Sequence, residues 1–316
     1  MLFPYNNWDS FLSFFSASST QSYLKNCYQL QTFELAEQKS YENSYPFIYY
    51  LEHGQVYYKQ AETAPLIIQP ILLFYGLVHL IKACILTVDP NYPETTSVLA
   101  HGVSTRKRKK QHYCFFQDEV KFQKSGLFPY IGEKMFHMKH LEAEKATMRD
   151  LLEQIPELNQ MFIQTEGKNT FVSINQQEDL FSLPKSILDN FHMTESRFID
   201  YWQSKSSSNI IQQSSEGKLI NFKLNHLHSS ELLPIKYNLE NNKLHFPSTK
   251  SQLNNYPELL IHYLLLYNLS MIARYETEWW SELIKMMPNL DYPFIQSFLH
   301  ITARKGPFLI YQYLKK

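Results

Sequence analysis

Apolar residues recur at helical spacing through most of the first ninety positions. The pattern predicts a helix over residues 18–35, which opens on Ser and Thr side chains suited to an N-cap. A second helix is predicted over residues 45–61, with Pro46 in its first turn, where a proline is well tolerated. A third begins at Pro70 and ends near Asp89, because the next residue is again a proline.

Further along the chain the pattern changes twice. The segment Tyr113–Phe122, YCFFQDEVKF, is short and aromatic, which favours an extended strand. Helical spacing returns over about 132–157, and again from Tyr256 through a long stretch that ends at Pro288. Two short terminal helices are predicted over the following residues, 292–303 and 307–314, joined by Arg304-Lys305-Gly306.

Residues 169–247 differ from the rest in being rich in Ser, Asn and Gln. Residues 170–174, TFVSI, have the composition of a strand, and Glu216-Gly217 is a turn signal. The polar tract Ser204–Ser215 is predicted to be a mobile loop.

These patterns predict a mainly α fold, a multi-helix core with a smaller β-containing insertion. The predicted organisation is a helical N-terminal part that carries a basic motif (1–165), the β-containing insertion (166–250), and C-terminal helices (251–316). The C-terminal helices are predicted to pack on the N-terminal ones, so the two ends of the chain should not fold separately.

Glycine content and net charge narrow the possible functions. The chain has 316 residues and only 8 glycines, and it lacks both GxGxxG and GxxxxGK[ST]. Dinucleotide folds and phosphate-binding loops of those types need clustered glycines, so they are not predicted. The formal net charge is zero, so a polyanionic ligand would have to be bound by a local basic patch.

The sequence also bears on location. The first sixteen residues contain no basic region and no small-residue cleavage site, so no signal peptide is predicted. The apolar run Leu66–Val88 is predicted to be a core helix, not a membrane span, because it is interrupted. The interruptions are Gln69, Pro70, His79 and Lys82. Cys27, Cys84 and Cys114 lie far apart in apolar stretches, which predicts buried, reduced thiols. We therefore expect a cytoplasmic protein with no membrane partner.

No metal or cofactor is predicted. The histidine pairs His137/His140 and His226/His228 have no accompanying acidic ligand in an HExxH frame. Ser104 and Thr105 lie near His101, and Cys114 lies near His112, but neither group has the surroundings of a known nucleophile motif. These residues alone predict neither a metal centre nor a catalytic triad.

The most informative segment is a run of five consecutive cations. It follows a His101-Gly102 turn and precedes the acidic pair Asp118 and Glu119. The run is Arg106, Lys107, Arg108, Lys109 and Lys110. Adjacent like charges repel each other unless solvent or a counter-anion screens them.

Several interpretations of this run stay open. It is a solvated loop, or it pairs with Asp118 and Glu119, or it binds an acidic protein partner. Alternatively it holds a phosphorylated ligand, a nucleotide or RNA, through Arg106 and Arg108. In that case nearby rings could stack on a base. These rings belong to Tyr113, Phe115 and Phe116.

Arg106 and His112 also suggest an enzymatic alternative. Their spacing fits the loose Arg-x(4–6)-His pattern of the HEPN ribonucleases, in which the His serves phosphodiester cleavage. The residues between them are KRKKQ, and the following segment has an extended pattern.

Several longer motifs resemble a known family. They are Asp89-Pro90, Tyr92-Pro93, LAHGVSTRKRKKQ, DEVKFQKSGLFPYI, LLEQIPEL and HYLLLYNLSMIARYETEWW. Together they resemble the YaaC-like family of bacterial proteins over essentially the full chain. The resemblance implies a cytosolic bacterial protein and carries over no catalytic residue.

The sequence thus favours a binding or regulatory protein over an enzyme, with a protein–protein adaptor as a further alternative. The oligomeric state is left open. The predicted ligand-binding residues are His101, Ser104, Arg106, Lys107, Arg108, Lys109 and Lys110.

Overall fold

A computed structural model describes residues 2–105, 113–138, 144–206, 210–212, 217–224, 233–253 and 256–315. The chain forms two compact units. The helical unit comprises residues 4–149 and 259–315, and the β-containing unit comprises residues 150–258 with a short N-terminal piece. The predicted limits of the insertion, residues 166 and 250, both lie within the β-containing unit.

The helical unit is built from long helices. A 3₁₀ helix, Trp8–Phe15, precedes them. The α helices are α1 (Ala17–Leu30), α2 (Ala36–Thr63), α3 (Gln69–Val88), α4 (Leu127–Phe136), α9 (Glu258–Tyr275), α10 (Thr277–Met286) and α11 (Asp291–Leu314). The predicted mainly α class with a β-containing region is confirmed.

Helices α2 and α3 pack unusually closely, because glycines face bulky side chains at their contact. A Cβ atom on Gly54 would lie 2.6 Å from Leu80 Cγ, and one on Gly76 would lie 2.8 Å from Tyr58 Cδ2. On α11, Gly306 faces the hydroxyl of the same Tyr58. Tyr58 is thus enclosed by α3 and α11, and all three helices depend on small residues at this point.

Helix α3 lies at the centre of the helical unit. It is apolar and long enough to cross a membrane by length and composition, but 67% of its most apolar window is buried inside the structure. Pro70 lies in its first turn. Burial of this kind is what the sequence predicted for a core helix.

A small antiparallel sheet connects the helices. It has the order β1 (Val103–Thr105), β2 (Glu119–Phe122), β3 (Lys145–Thr147), with Val103 opposite Phe122 and Glu119 opposite Thr147. A 3₁₀ turn at Phe115–Gln117 leads into β2. The prediction of an extended segment over residues 113–122 is therefore confirmed at β2 and wrong at the turn.

The β-containing unit holds two antiparallel sheets and several short helices. One sheet has the order β4-β10-β9, and the other has the order β5-β6-β8-β7. The strands are β4 (Phe171–Ser173), β5 (Asn175–Gln177), β6 (Leu180–Pro184), β7 (Ile210–Gln212), β8 (Leu219–Leu224), β9 (Lys236–Asn238) and β10 (Lys243–Pro247). The helices are α5 (Met148–Leu152), which begins just before the unit does, α6 (Asn159–Glu166), α7 (Ile187–Phe191) and α8 (Glu195–Lys205).

This unit has its own aromatic core. Trp202 of α8 lies 4.8 Å from Phe222 of β8 and 4.7 Å from Phe246 of β10, measured between ring centroids. Phe181 and Phe191 belong to the same buried cluster. The predicted strand at 170–174 is confirmed as β4.

The second predicted helix starts too late. Helix α2 begins at Ala36, so Pro46 lies inside it and not in its first turn. An internal proline removes one backbone hydrogen bond at a cost of about 3 kcal/mol. Burial of Phe47 and Leu51 on the core side offsets that cost.

The predicted helix over 132–157 is also wrong for much of its length. Helix α4 ends because His137 adopts a left-handed conformation (φ 53°), and Lys145–Thr147 pairs with β2. The apolar residues after it are buried without forming one continuous helix. They include Met148, Leu151, Leu152 and Ile155.

Two predictions of helix limits near the C-terminus are wrong. The single helix predicted up to Pro288 is broken at Glu276, which allows the Trp280 indole to donate to the Ile67 carbonyl at 2.9 Å. The two predicted terminal helices are one helix, α11, which continues through Lys305 and Gly306 because both residues are fully packed in the core.

The predicted mobile loop Ser204–Ser215 is wrong where it is described. Residues 204 and 205 end α8, and Ile210–Gln212 pairs with β8. Residues 207–209 and 213–216 lie outside the described part. None of the three cysteines forms a disulfide, as predicted, but only Cys84 is buried.

The contact between Tyr58 and Gly306 gives a stability prediction. In Gly306→Ala the new methyl group meets the buried Tyr58 hydroxyl, so the free energy of unfolding should fall by about 1–3 kcal/mol. Urea denaturation would measure this loss. The double variant Tyr58→Phe/Gly306→Ala should recover most of it, because the Tyr58 hydroxyl has no hydrogen-bond partner among the described residues. Equal losses in the single and double variants would contradict this packing.

Candidate functional site

Helix α3 is open to solvent along one narrow line. In the fully described stretch 73–87, the three side chains that are not buried are Tyr75, His79 and Lys82. They follow one another at i, i+4 and i+7, which places them on one face of the helix. A helix otherwise enclosed by apolar packing therefore presents a ring, an imidazole and an ammonium group on the same side.

Helix α2 contributes a second line of similar side chains. Tyr57 stacks on His79 with centroids 5.6 Å apart and an interplanar angle of 18°. His53 lies 5.2 Å from His79, and Tyr50 lies 6.1 Å from it. Lys82 places its ammonium 5.6 Å from the Tyr50 ring. The short connection between α2 and α3 makes them antiparallel, which brings these two lines together.

The line continues onto other elements of the helical unit. Tyr75 lies 6.3 Å from Tyr57 and 6.2 Å from His101. The Arg274 guanidinium of α9 lies 5.8 Å from the Tyr75 ring, and its Nη1 donates to the Tyr75 hydroxyl at 3.2 Å. We call this set the aromatic–basic surface. It consists of Tyr50, His53, Tyr57, Tyr75, His79, Lys82, His101 and Arg274.

Uncompensated positive charge dominates the electrostatics of this surface. Within the described ranges, no carboxylate lies within ion-pair distance of Lys82 or Arg274. Burial, with Lys82 and His53 nearby, lowers the pKa of His79 to about 4. Burial, with Arg274 and Lys82 nearby, also lowers the pKa of His101. At neutral pH the surface therefore carries two cations and a neutral His79 ring.

The sequence-predicted residue His101 belongs to this surface. Its ring packs 5.0 Å from Phe74 and 5.6 Å from Tyr267, and its carbonyl accepts from the Tyr263 hydroxyl at 2.8 Å. The next residue, Gly102 (φ 74°), lies against Gly126, where a side chain on either glycine would clash. The chain is thus held firmly just before β1.

The other predicted ligand-binding residues divide into two groups. Ser104 lies on β1, where its hydroxyl accepts from Gln123 Nε2 at 2.6 Å. Arg106, Lys107, Arg108, Lys109 and Lys110 lie outside the described residues, as does His112. The Arg106/His112 pair therefore stays a prediction.

Asp118 anchors the chain after the basic run. This buried carboxylate accepts from the Tyr113 hydroxyl at 2.6 Å, from Asn268 Nδ2 at 2.9 Å and from the Glu119 amide at 3.0 Å. Burial and the Asp118 charge raise the pKa of Tyr113. No cation within the described parts of the chain is paired with Asp118. Glu119 lies 3.7 Å from Lys145 Nζ.

Asp291 is a second buried anchor for the same segment. It accepts from the Phe115 amide at 2.9 Å and from Asn289 Nδ2 at 3.2 Å, and the Cys114 thiol lies 3.7 Å away. Phe115 and Phe116 are buried core residues. They are therefore not available to stack on a base, although this role was considered from the sequence.

The sequence did contain a signal for the part of the surface that was missed. Tyr75, His79 and Lys82 interrupt an apolar helix at i, i+4 and i+7, which is the spacing of one helical face. His79 and Lys82 enter the sequence prediction only as interruptions of a possible membrane span, and Tyr75 does not enter it. The partners Tyr57 and Arg274 lie far away in sequence, and no spacing rule connects them.

The β-containing unit has a cavity of different character. It measures about 1060 Å³ and is lined mainly by uncharged polar side chains, with one acid and one base. The polar and charged lining residues are Asn175, Gln176, Gln177, Glu178, Ser182, Asn221, Tyr237, Asn242 and Lys243. Across the described residues, no group of three or more His, Cys, Asp or Glu side chains is placed to hold a metal.

Comparison with known proteins identifies the family. The model of the YaaC-like protein family matches residues 12–314. The chain belongs to the YaaC-like protein family. No curated protein and no solved structure matches it. The matched range of this YaaC-like chain includes every residue of the aromatic–basic surface.

The anchoring of the basic segment gives a testable prediction. Tyr113→Phe removes a hydrogen bond to a buried carboxylate, so the free energy of unfolding should fall by about 1.5–3 kcal/mol. Tyr41→Phe is the matched control, because Tyr41 is 70% exposed. Chemical denaturation of both variants would measure the difference. A Tyr113→Phe variant as stable as the control would refute the anchoring role.

Partial burial of His79 predicts a pH dependence of stability. Because its folded-state pKa, about 4, lies below the ordinary value of 6.5, protons bind preferentially to the unfolded chain. The associated stability is present above pH 6.5 and is lost as the pH falls toward 4. Between pH 7 and pH 5 the wild type should lose about 1 kcal/mol more than His79→Gln, after allowance for its partial exposure.

The comparison with a second variant isolates this contribution. The exposed His300 of α11 can be changed to Gln as a control. His300→Gln should follow the wild-type pH profile, whereas His79→Gln should be flatter. Identical pH profiles for all three proteins would contradict the assignment of a partly buried, neutral imidazole.

Proposed function

We propose that this YaaC-like protein is a bacterial cytoplasmic binding protein that holds a phosphorylated ligand, a nucleotide or RNA. The aromatic–basic surface and the run Arg106–Lys110 together form the proposed binding region. The proposed activity is binding, and the binding serves a regulatory role. It involves no metal or catalytic group.

One observation carries the proposal. Lys82 and Arg274 lie among partly exposed aromatic rings, and neither has a carboxylate partner in the described part of the molecule. Elsewhere on this chain partly exposed lysines do pair with acids, as Lys39 does with Glu42 at 3.0 Å. Cations next to rings match a ligand that combines negative charge with flat bases.

The course of the chain supports the same proposal. His101 belongs to the aromatic–basic surface, and the five consecutive cations begin five residues later, after β1. Tyr113, Asp118 and Asn268 then fix the chain where the run ends. The basic run is thus tethered on both sides to the unit that bears the surface.

The alternatives rest on residues that lie outside the described ranges. HEPN-like cleavage by Arg106 and His112 stays a prediction, and so does the docking of an acidic protein on the basic run. No contact described above favours either one over the binding of a phosphorylated ligand.

Salt dependence of binding tests the proposal. Fluorescently labelled nucleotides and RNA should bind at low salt, with affinity falling steeply as salt increases. Replacement of Lys82 and Arg274 by Gln should reduce the slope of log affinity against log salt by about 0.7 for each phosphate that is no longer neutralised. Serine at all five positions 106–110 should reduce it further.

One charge-matched double variant serves as the control. Lys59 lies exposed on α2, and Arg304 lies exposed on α11. The double variant Lys59→Gln/Arg304→Gln removes the same charge away from the proposed region and should keep the wild-type slope. If the wild-type protein binds neither nucleotide nor RNA at low salt, the proposed function is wrong. If both double variants lower the slope equally, the effect is one of net charge only.

A further inference from the structure

The rings of the aromatic–basic surface form a row. Successive centroids are 6.1 Å apart from Tyr50 to His79, 5.6 Å from His79 to Tyr57 and 6.3 Å from Tyr57 to Tyr75. The last step, from Tyr75 to His101, is 6.2 Å. Tyr50 and His101, both among the described residues, make no ring contact with each other. A ligand with one base can contact only part of this row.

The two cations lie toward opposite ends of the row. Lys82 is next to Tyr50, with its ammonium 5.6 Å from the ring, and Arg274 is next to Tyr75. Ser270 fixes Arg274 further, because its carbonyl accepts from Arg274 Nε at 3.0 Å. Two separated, oriented cations match two separated phosphates.

Stacking on rings requires that a base present its face. Bases in a duplex are already stacked on each other, whereas bases of a single strand are free to stack on aromatic side chains. Tyr50, Tyr57 and Tyr75 are all partly exposed. Rings offer no fixed pattern of donors and acceptors, so such contacts tolerate many base sequences.

We infer that the ligand of the aromatic–basic surface is a single-stranded nucleic acid several nucleotides long, and not a mononucleotide. The inference rests on the proposed function and specifies its ligand. Successive bases stack along Tyr50, Tyr57 and Tyr75, while Lys82 and Arg274 contact phosphates at either end. An acidic peptide would use the cations but leave the row of rings without a role.

Ligand length tests the inference on the unmodified protein. Fluorescence anisotropy would compare uridine monophosphate with uridine oligonucleotides of two, four and eight residues, as RNA and as DNA. Affinity should rise by about tenfold or more from the monomer to the octamer and then level off. An RNA duplex of eight base pairs and an octaglutamate peptide should both bind more weakly than the single-stranded octamer.

Ring substitutions provide a second, independent measurement. Tyr57→Leu should weaken octamer binding by about fivefold or more, as expected when one base can no longer stack. Tyr57→Phe keeps the ring and should bind the octamer with the affinity of the wild type. Tyr41→Leu, on the same helix and 70% exposed, is the control and should bind as the wild type does.

The outcomes separate the inference from the proposed function. If the monophosphate binds as tightly as the octamer, the inference is wrong and the proposed function stands. Equal affinity for duplex or octaglutamate, or no effect of Tyr57→Leu, also overturns the inference. If none of the phosphorylated ligands binds, the proposed function fails together with it.

Discussion

The enclosure of helix α3 is the constraint on which the rest of the helical unit depends. Close contacts at Gly54 and Gly76 draw α2 against α3, and Gly306 brings α11 against the same Tyr58. Because α3 is surrounded so tightly, one line of its side chains is accessible to solvent between residues 73 and 87. Between residues 73 and 87, the side chains of α3 that a ligand could reach are therefore those of Tyr75, His79 and Lys82.

The same close packing explains the electrostatic character of that line. Tyr57 lies over His79 because Gly54 and Gly76 allow α2 and α3 to approach each other closely. The His79 imidazole is then held in a partly dry environment beside Lys82, which favours its neutral form. Rings with little freedom, and cations without acidic partners among the described residues, would need little rearrangement to bind the proposed ligand.

The two buried carboxylates have a complementary role. Asp118 and Asp291 receive donors from the segment that follows the basic run, Tyr113 and Phe115 respectively. Among the described residues neither carboxylate is paired with a cation, and both accept hydrogen bonds that hold the segment following the run. The chain is fixed before the run by Gly102 and after it by Tyr113.

How far the sequence predicted this structure follows from how local each signal is. Apolar periodicity correctly located α3, and the composition of residues 170–174 correctly located β4. Prediction from local sequence failed where tertiary contacts override local preference, as with Pro46 inside α2 and Gly306 inside α11. His101 was predicted as a site residue, but Arg274 was not, because nothing local links these two positions.

The most direct test of the central claim is to locate a bound single strand on the protein. An RNA octamer containing 4-thiouridine can be crosslinked by light, and the modified peptides identified by mass spectrometry. The account predicts crosslinks to peptides that contain residues 50–57 and 75–82, abolished by competition with unlabelled octamer. Competable crosslinks confined to the β-containing unit, residues 150–258, would contradict it.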